Sequence, residues 1–182
     1  VDGNIDAAAG AITNTGTLNV AGDVNNTSGV TLGTSGALTL DGTAQTVEAT
    51  IDGVNDTYGS ITVNSGAKTF NGAIGGTQTV GSFDVDSNVA LNENATFSGN
   101  VDVDTSATLT NNANLTVGGA LAGIGAVEND GTLTLNGDVT GATATVNNNN
   151  GSTLVIDNAT GITNSGTIDL AKTGSATLDI SA

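Results

Sequence analysis

The chain contains no Cys, His, Trp, Met, Arg or Pro. Without His or Cys there is no Ser-His-Asp or Cys-His nucleophile, and no zinc site of the usual type. Lys68 and Lys172 are the only basic residues, against 18 Asp and Glu, for a net charge of −16. That balance excludes nucleic acid, whose phosphates need Lys and Arg, and it excludes docking on anionic lipid. No apolar run approaches the roughly 18 residues of a membrane helix. The lack of Cys leaves the redox compartment open. Aromatics are confined to Tyr58, Phe70, Phe83 and Phe97, so any core must be built of small aliphatic side chains. Low hydrophobicity with high net charge is also a signature of disorder. Here a regular apolar alternation argues for folding.

What is present is repetition. "TNTGTLNVAGDVNN" from Thr13 returns as "ENDGTLTLNGDVTG" from Glu128 and as "ITNSGTIDLAKTG" from Ile162. Apolar-x-apolar triplets recur along the whole chain: Leu18/Val20, Leu38/Leu40, Ile61/Val63, Phe83/Val85, Val101/Val103, Leu115/Val117, Leu133/Leu135, Leu154/Ile156 and Ile168/Leu170. Their starts are spaced by 14 to 23 residues, close to 20 on average. Weaker triplets lie between them, at Val30/Leu32, Val89/Leu91, Ala95/Phe97 and Ala144/Val146.

A period of two is the strand signature, and Thr and Val suit a pleated surface. Asn-Gly and Asp-Gly pairs, such as Asp41-Gly42, Asp52-Gly53 and Asp130-Gly131, mark turns because these residues tolerate positive φ. Short strands and tight turns repeating near 20 residues predict an all-β fold, a parallel β-helix or β-solenoid. The expectation is one domain over residues 1–182, about nine coils of roughly 20 residues, with Val, Leu and Ile inward and Thr, Asn, Ser and Asp outward. The alternative is a set of antiparallel β-sandwich repeats. Those usually carry larger core residues, often a Trp or Tyr. The chain starts and stops inside the repeat pattern, at Val1 and "TLDISA", which reads as a segment or processed product of a longer protein.

The repeated phrases resemble the rungs of bacterial secreted β-helical surface proteins. These are the autotransporter passenger domains, filamentous-haemagglutinin-like adhesins and rickettsial-type surface antigens. The resemblance covers most of the chain. It implies a β-helix, export and an extracellular place on the bacterial cell surface. It names no ligand, and no β-barrel translocator with its aromatic girdle is visible in this chain.

Paired carboxylates can hydrolyse sugars, but sugar sites normally add aromatic faces and cationic or amide donors. One Tyr and no Arg point away from an enzyme. Gly123-Ile124-Gly125 lacks the glycine spacing of a nucleotide fingerprint and reads as a tight turn. Asn147 to Asn150 reads as a wide turn between coils or a lateral loop.

The acidic residues carry more. Asp84 and Asp86 recur 18 residues later as Asp102 and Asp104. One coil apart, they project outward in adjacent rows about 5 Å apart. Like charges placed opposite one another repel. A hard cation with oxygen ligands would relieve this, and calcium suits it. The other reading is a solvated acidic face screened by salt. No cofactor is required in either case.

Two basic residues leave trypsin almost nothing to cut, and the missing Cys, Met, Trp and His leave oxidants little to attack. These are properties of long-lived extracellular material. The expected function is a non-enzymatic structural protein that assembles end to end into a filament, surface layer or matrix fibre. The alternative is a rigid stalk in a monomeric autotransporter-type adhesin. The expected partners are copies of itself or a host or cell-surface ligand.

Overall fold

The computed structural model describes residues 1–6, 10–26, 28–123, 125–140, 145–158, 167–169 and 174–181. The described residues form 21 short strands and no helix. Every pairing between these strands is parallel, so the antiparallel sandwich does not describe them. The chain winds around three faces in a fixed order.

Face 1 holds β2 (Thr17–Val20), β4 (Ala37–Leu40), β7 (Ser60–Val63), β9 (Ser82–Val85), β12 (Val101–Val103) and β15 (Leu121–Gly123). Face 2 holds β5 (Ala44–Val47), β8 (Ala67–Phe70), β10 (Val89–Leu91), β13 (Thr108–Asn111), β16 (Ala126–Asn129), β18 (Thr145–Asn148) and β20 (Thr167–Asp169). Face 3 holds β1 (Ile12–Asn14), β3 (Val30–Leu32), β6 (Ile51–Gly53), β11 (Ala95–Phe97), β14 (Asn114–Val117), β17 (Thr132–Leu135), β19 (Thr153–Asp157) and β21 (Thr177–Ser181). Ile74 bridges β6 to β11 and completes that face. The structure is a β-solenoid of about eight turns.

A count of nine coils requires each strong triplet to be one turn. Five of the nine triplets lie on face 1, three on face 3, and the last begins on face 2. Leu170, the second half of that last triplet, and Ala144 of a weaker one lie outside the described residues. The two 14-residue steps, Val101 to Leu115 and Leu154 to Ile168, are changes of face. Along a single face the step stays near 20, as in Leu18, Leu38, Ile61 and Phe83.

The burial pattern follows the pleat. On β4, β7 and β17 each inward residue is buried and each outward one is half-buried. One inward column on face 3 runs Ile12, Val30, Ile51, Ile74, Ala95, Leu115, Leu133, Leu154 and Leu178. From Val30 to Leu154 every member is buried. At mid-length the three faces contribute one phenylalanine each. Phe83 stacks on Phe97 at a centroid distance of 5.0 Å and meets Phe70 edge-on at 5.9 Å. Such ring pairs add a favourable contribution beyond the area they bury.

The Asp-Gly pairs play a different part from the one their φ tolerance suggests. Asp52-Gly53 lies inside β6. At Asp130-Gly131, Gly131 does not have positive φ; a Cβ there would run into the backbone of Ala113 one turn below. Adjacent turns stack about 4.8 Å apart, so the corners need glycine mainly for close approach. Gly66 needs it on both grounds, with φ at 67° and the carbonyl of Thr43 where a side chain would begin.

Candidate functional site

The acidic quartet comes together on face 1. Asp84 and Asp102 are register partners on β9 and β12. Asp86 and Asp104 follow directly after those strands, and the Asp104 amide donates to the Val85 carbonyl at 2.9 Å. Below Asp84 in the same outward column is Thr62, and above Asp102 is Ala122, so the cluster has neutral neighbours on both sides. Partial burial, then the charges of Asp86, Asp102 and Asp104, and a hydrogen bond shared with Asp86 raise the Asp84 pKa above its ordinary 3.8. Asp104 is turned toward its own corner, where its Oδ1 accepts the Thr105 amide at 2.8 Å. Among the described residues no group of three or more acidic side chains is arranged to hold a metal ion.

A second polar site lies inside the solenoid. Lys68 sits on β8 with its side chain inward and only 1% of the residue exposed. Its Nζ donates to the carbonyls of Gly42 (2.7 Å), Gly66 (2.9 Å) and Ser65. Directly below it, Gln45 accepts the Gly42 amide at 2.8 Å and donates to the carbonyls of Val20 (3.0 Å) and Gly22. The two side chains tie together the corners of three successive turns. Burial lowers the Lys68 pKa from 10.5, and the Asp41 carboxylate partly offsets that. Lys172, the other lysine, lies outside the described residues.

Asparagine ladders form a third polar feature. Asn111, Asn129 and Asn148 stack inward on face 2, all buried. The Asn111 amide donates to Asn129 Oδ1 at 2.8 Å, and the Asn129 amide donates to Asn148 Oδ1 at 2.9 Å. Their amides also reach the carbonyls of Thr132 and Thr153 on the next turn. An outer ladder at the corner between faces 2 and 3 joins Glu48, Asn71, Asn92 and Asn112 at 2.7 to 2.8 Å. In-register amide ladders satisfy every buried donor along a repeat. Asn147 to Asn150 is therefore divided: its first two residues belong to β18 and the rest to the turn that follows.

The inward Asn ladder and the Gln45–Lys68 pair are not picked out by apolar triplets. Repetition would have found both. Leu109-Thr-Asn111, Val127-Glu-Asn129 and Val146-Asn-Asn148 repeat one phrase, and Ala44-Gln45-Thr46-Val47 aligns with Ala67-Lys68-Thr69-Phe70.

A groove of about 540 Å³ runs along the corner between faces 3 and 1. Thr34, Ser35, Thr57, Ser60, Ser82 and Asn100 line it together with corner glycines, and no member of the acidic quartet enters it. Gly123 ends β15, and a Cβ there would meet the Val103 backbone; it is a tight corner glycine. The amide ladders join turn to turn, whereas the facing carboxylates of Asp84 and Asp102 repel. No protein-family model, curated protein or solved structure matches this chain.

Proposed function

We propose that this chain is a non-enzymatic structural rod of the bacterial cell surface, extracellular, that assembles end to end into a filament, layer or matrix fibre. The observation that carries this reading is the change in burial along one column. Its inner members are buried from Val30 to Leu154, whereas at β21 Leu178 is 41% exposed and its neighbour Ile180 is 68% exposed. These apolar side chains stand in inward register, and among the described residues no further strand pairs with β21. An open parallel edge of this kind is a template for strand addition. Heterologous contacts that repeat without closing make filaments.

The second reading is a rigid stalk, in which further turns of a longer chain supply that rung. The same exposed column supports it equally. Concentration separates the two. The molar mass measured by light scattering rises with concentration if copies supply the rung, and stays at that of one chain if they do not. The extracellular setting is supported by the scarcity of protease-sensitive and oxidisable side chains and by the net charge of −16, which keeps copies soluble at low salt.

A further inference from the structure

We propose that Asn136 is a site of spontaneous covalent modification, converted to aspartate and isoaspartate by attack of the Gly137 amide, and that the fold holds the other two Asn-Gly pairs out of the same reaction.

The chemistry needs only water. The Gly137 amide nitrogen gives up its proton and bonds to the side-chain carbonyl carbon of Asn136. The bond from that carbon to the side-chain nitrogen breaks, and ammonia leaves. Water then opens the five-membered imide. Attack at the side-chain carbonyl leaves an ordinary aspartate; attack at the main-chain carbonyl leaves isoaspartate, with the chain running through the former side chain. Glycine favours the closure because no side chain shields its amide.

Three Asn-Gly pairs occur, Asn71-Gly72, Asn136-Gly137 and Asn150-Gly151, and hydrogen bonding separates them. Asn71 is clamped in the outer ladder: its amide donates to Glu48 and its Oδ1 accepts from Asn92, both at 2.8 Å. The Gly72 amide, the attacking group, donates to the Val47 carbonyl at 3.1 Å. Ser175 clamps the third pair. Its amide donates to Asn150 Oδ1 at 3.1 Å, and its carbonyl accepts the Gly151 amide at 2.7 Å. At the second pair Asn136 is exposed, and among the described residues neither its side chain nor the Gly137 amide has a hydrogen-bond partner. Asn136 follows β17 at the corner, with Gly118 level on the turn below and Asp157 level on the turn above. Both reacting groups are therefore at hand and unengaged.

The product matters to the stack. A carboxylate at position 136 faces exposed Asp157 and makes a second opposed acidic pair. Isoaspartate adds a main-chain atom at a corner where Gly137 already sits close against the Gly119 carbonyl.

Storing the purified full chain for weeks at mildly alkaline pH tests this, folded and in parallel in strong urea, with fragmentation mass spectrometry to read each asparagine. Each hydrogen bond that must open first slows a reaction by up to about tenfold. In the folded chain Asn136 is expected to convert at least about tenfold faster than Asn71 or Asn150, and urea is expected to bring the three rates together. Asn136→Asp is expected to lower the melting temperature, and Asp157→Asn in that background to restore it. Equal rates in the folded chain, or conversion led by Asn71 or Asn150, would overturn the assignment. So would an Asn136 that stays intact in the folded chain while the urea-unfolded chain reacts. An Asn136→Asp chain as stable as the parent would overturn the opposed pair with Asp157.

Discussion

Asp84 and Asp102 lie side by side on adjacent parallel strands, and among the described residues the charges that act on Asp84 are all carboxylates. The pair opposes folding at neutral pH. The Asp84 pKa is raised in the folded chain, so between that raised value and 3.8 the folded state holds more protons than the unfolded state. Stability therefore rises as pH falls through this window. Asp84→Asn is expected to stabilise the chain at neutral pH by up to about 1 kcal/mol, the scale of a directly opposed cross-strand pair. It is also expected to flatten the acid-side rise. Thermal melts of both proteins across mildly acidic pH check this. A variant less stable than the parent at neutral pH would contradict it.

Calcium is the sharper question about the same cluster. With Asp104 held by its own turn, the expected behaviour is diffuse screening. Calcium and sodium chloride at matched ionic strength should then raise the melting temperature alike. A rise of several degrees that a chelator reverses would instead mean a bound ion in the native state.

Lys68 works in the opposite sense. Burial lowers its pKa from 10.5, so the unfolded chain holds the proton more tightly. Stability is expected to rise as pH climbs from the folded value toward 10.5. Lys68→Met removes that rise. It also leaves the carbonyls of Gly42, Ser65 and Gly66 without their donor. The expected loss at neutral pH is about 1–3 kcal/mol, the cost of a buried polar group left unsatisfied. Chemical denaturation at two pH values measures both effects.

The Asn111–Asn129–Asn148 ladder predicts a non-additive series. Asn129→Val breaks three side-chain bonds, stranding the Asn111 amide donor and the Asn148 and Thr153 carbonyl acceptors. It is expected to cost about 2–4 kcal/mol. Replacing all three asparagines by Val removes donors and acceptors together and is expected to cost less than three times the single change. Denaturant midpoints of the single and triple variants decide it.

Much of this fold is readable in residue order because the pleat has period two. Leu38/Leu40 and Phe83/Val85 are inward where their spacing put them. The number of turns is not, because Val101/Val103 and Leu115/Val117 look alike yet lie on different faces. Inward polar residues are also hidden. Asn111 looks like a strand-end turn residue until Asn129 and Asn148 stack above it. The proximity of Asp84 to Asp102 follows from their 18-residue spacing, whereas the turning of Asp104 onto Thr105 depends on corner geometry that spacing does not carry.

The most direct measurement is negative-stain electron microscopy of the purified chain at low and high concentration, in moderate salt. Eight turns at about 4.8 Å make a rod near 40 Å long. End-to-end assembly predicts unbranched fibres of one width, much longer than that rod, lengthening with concentration. Separate short rods at every concentration would contradict end-to-end assembly and leave the stalk.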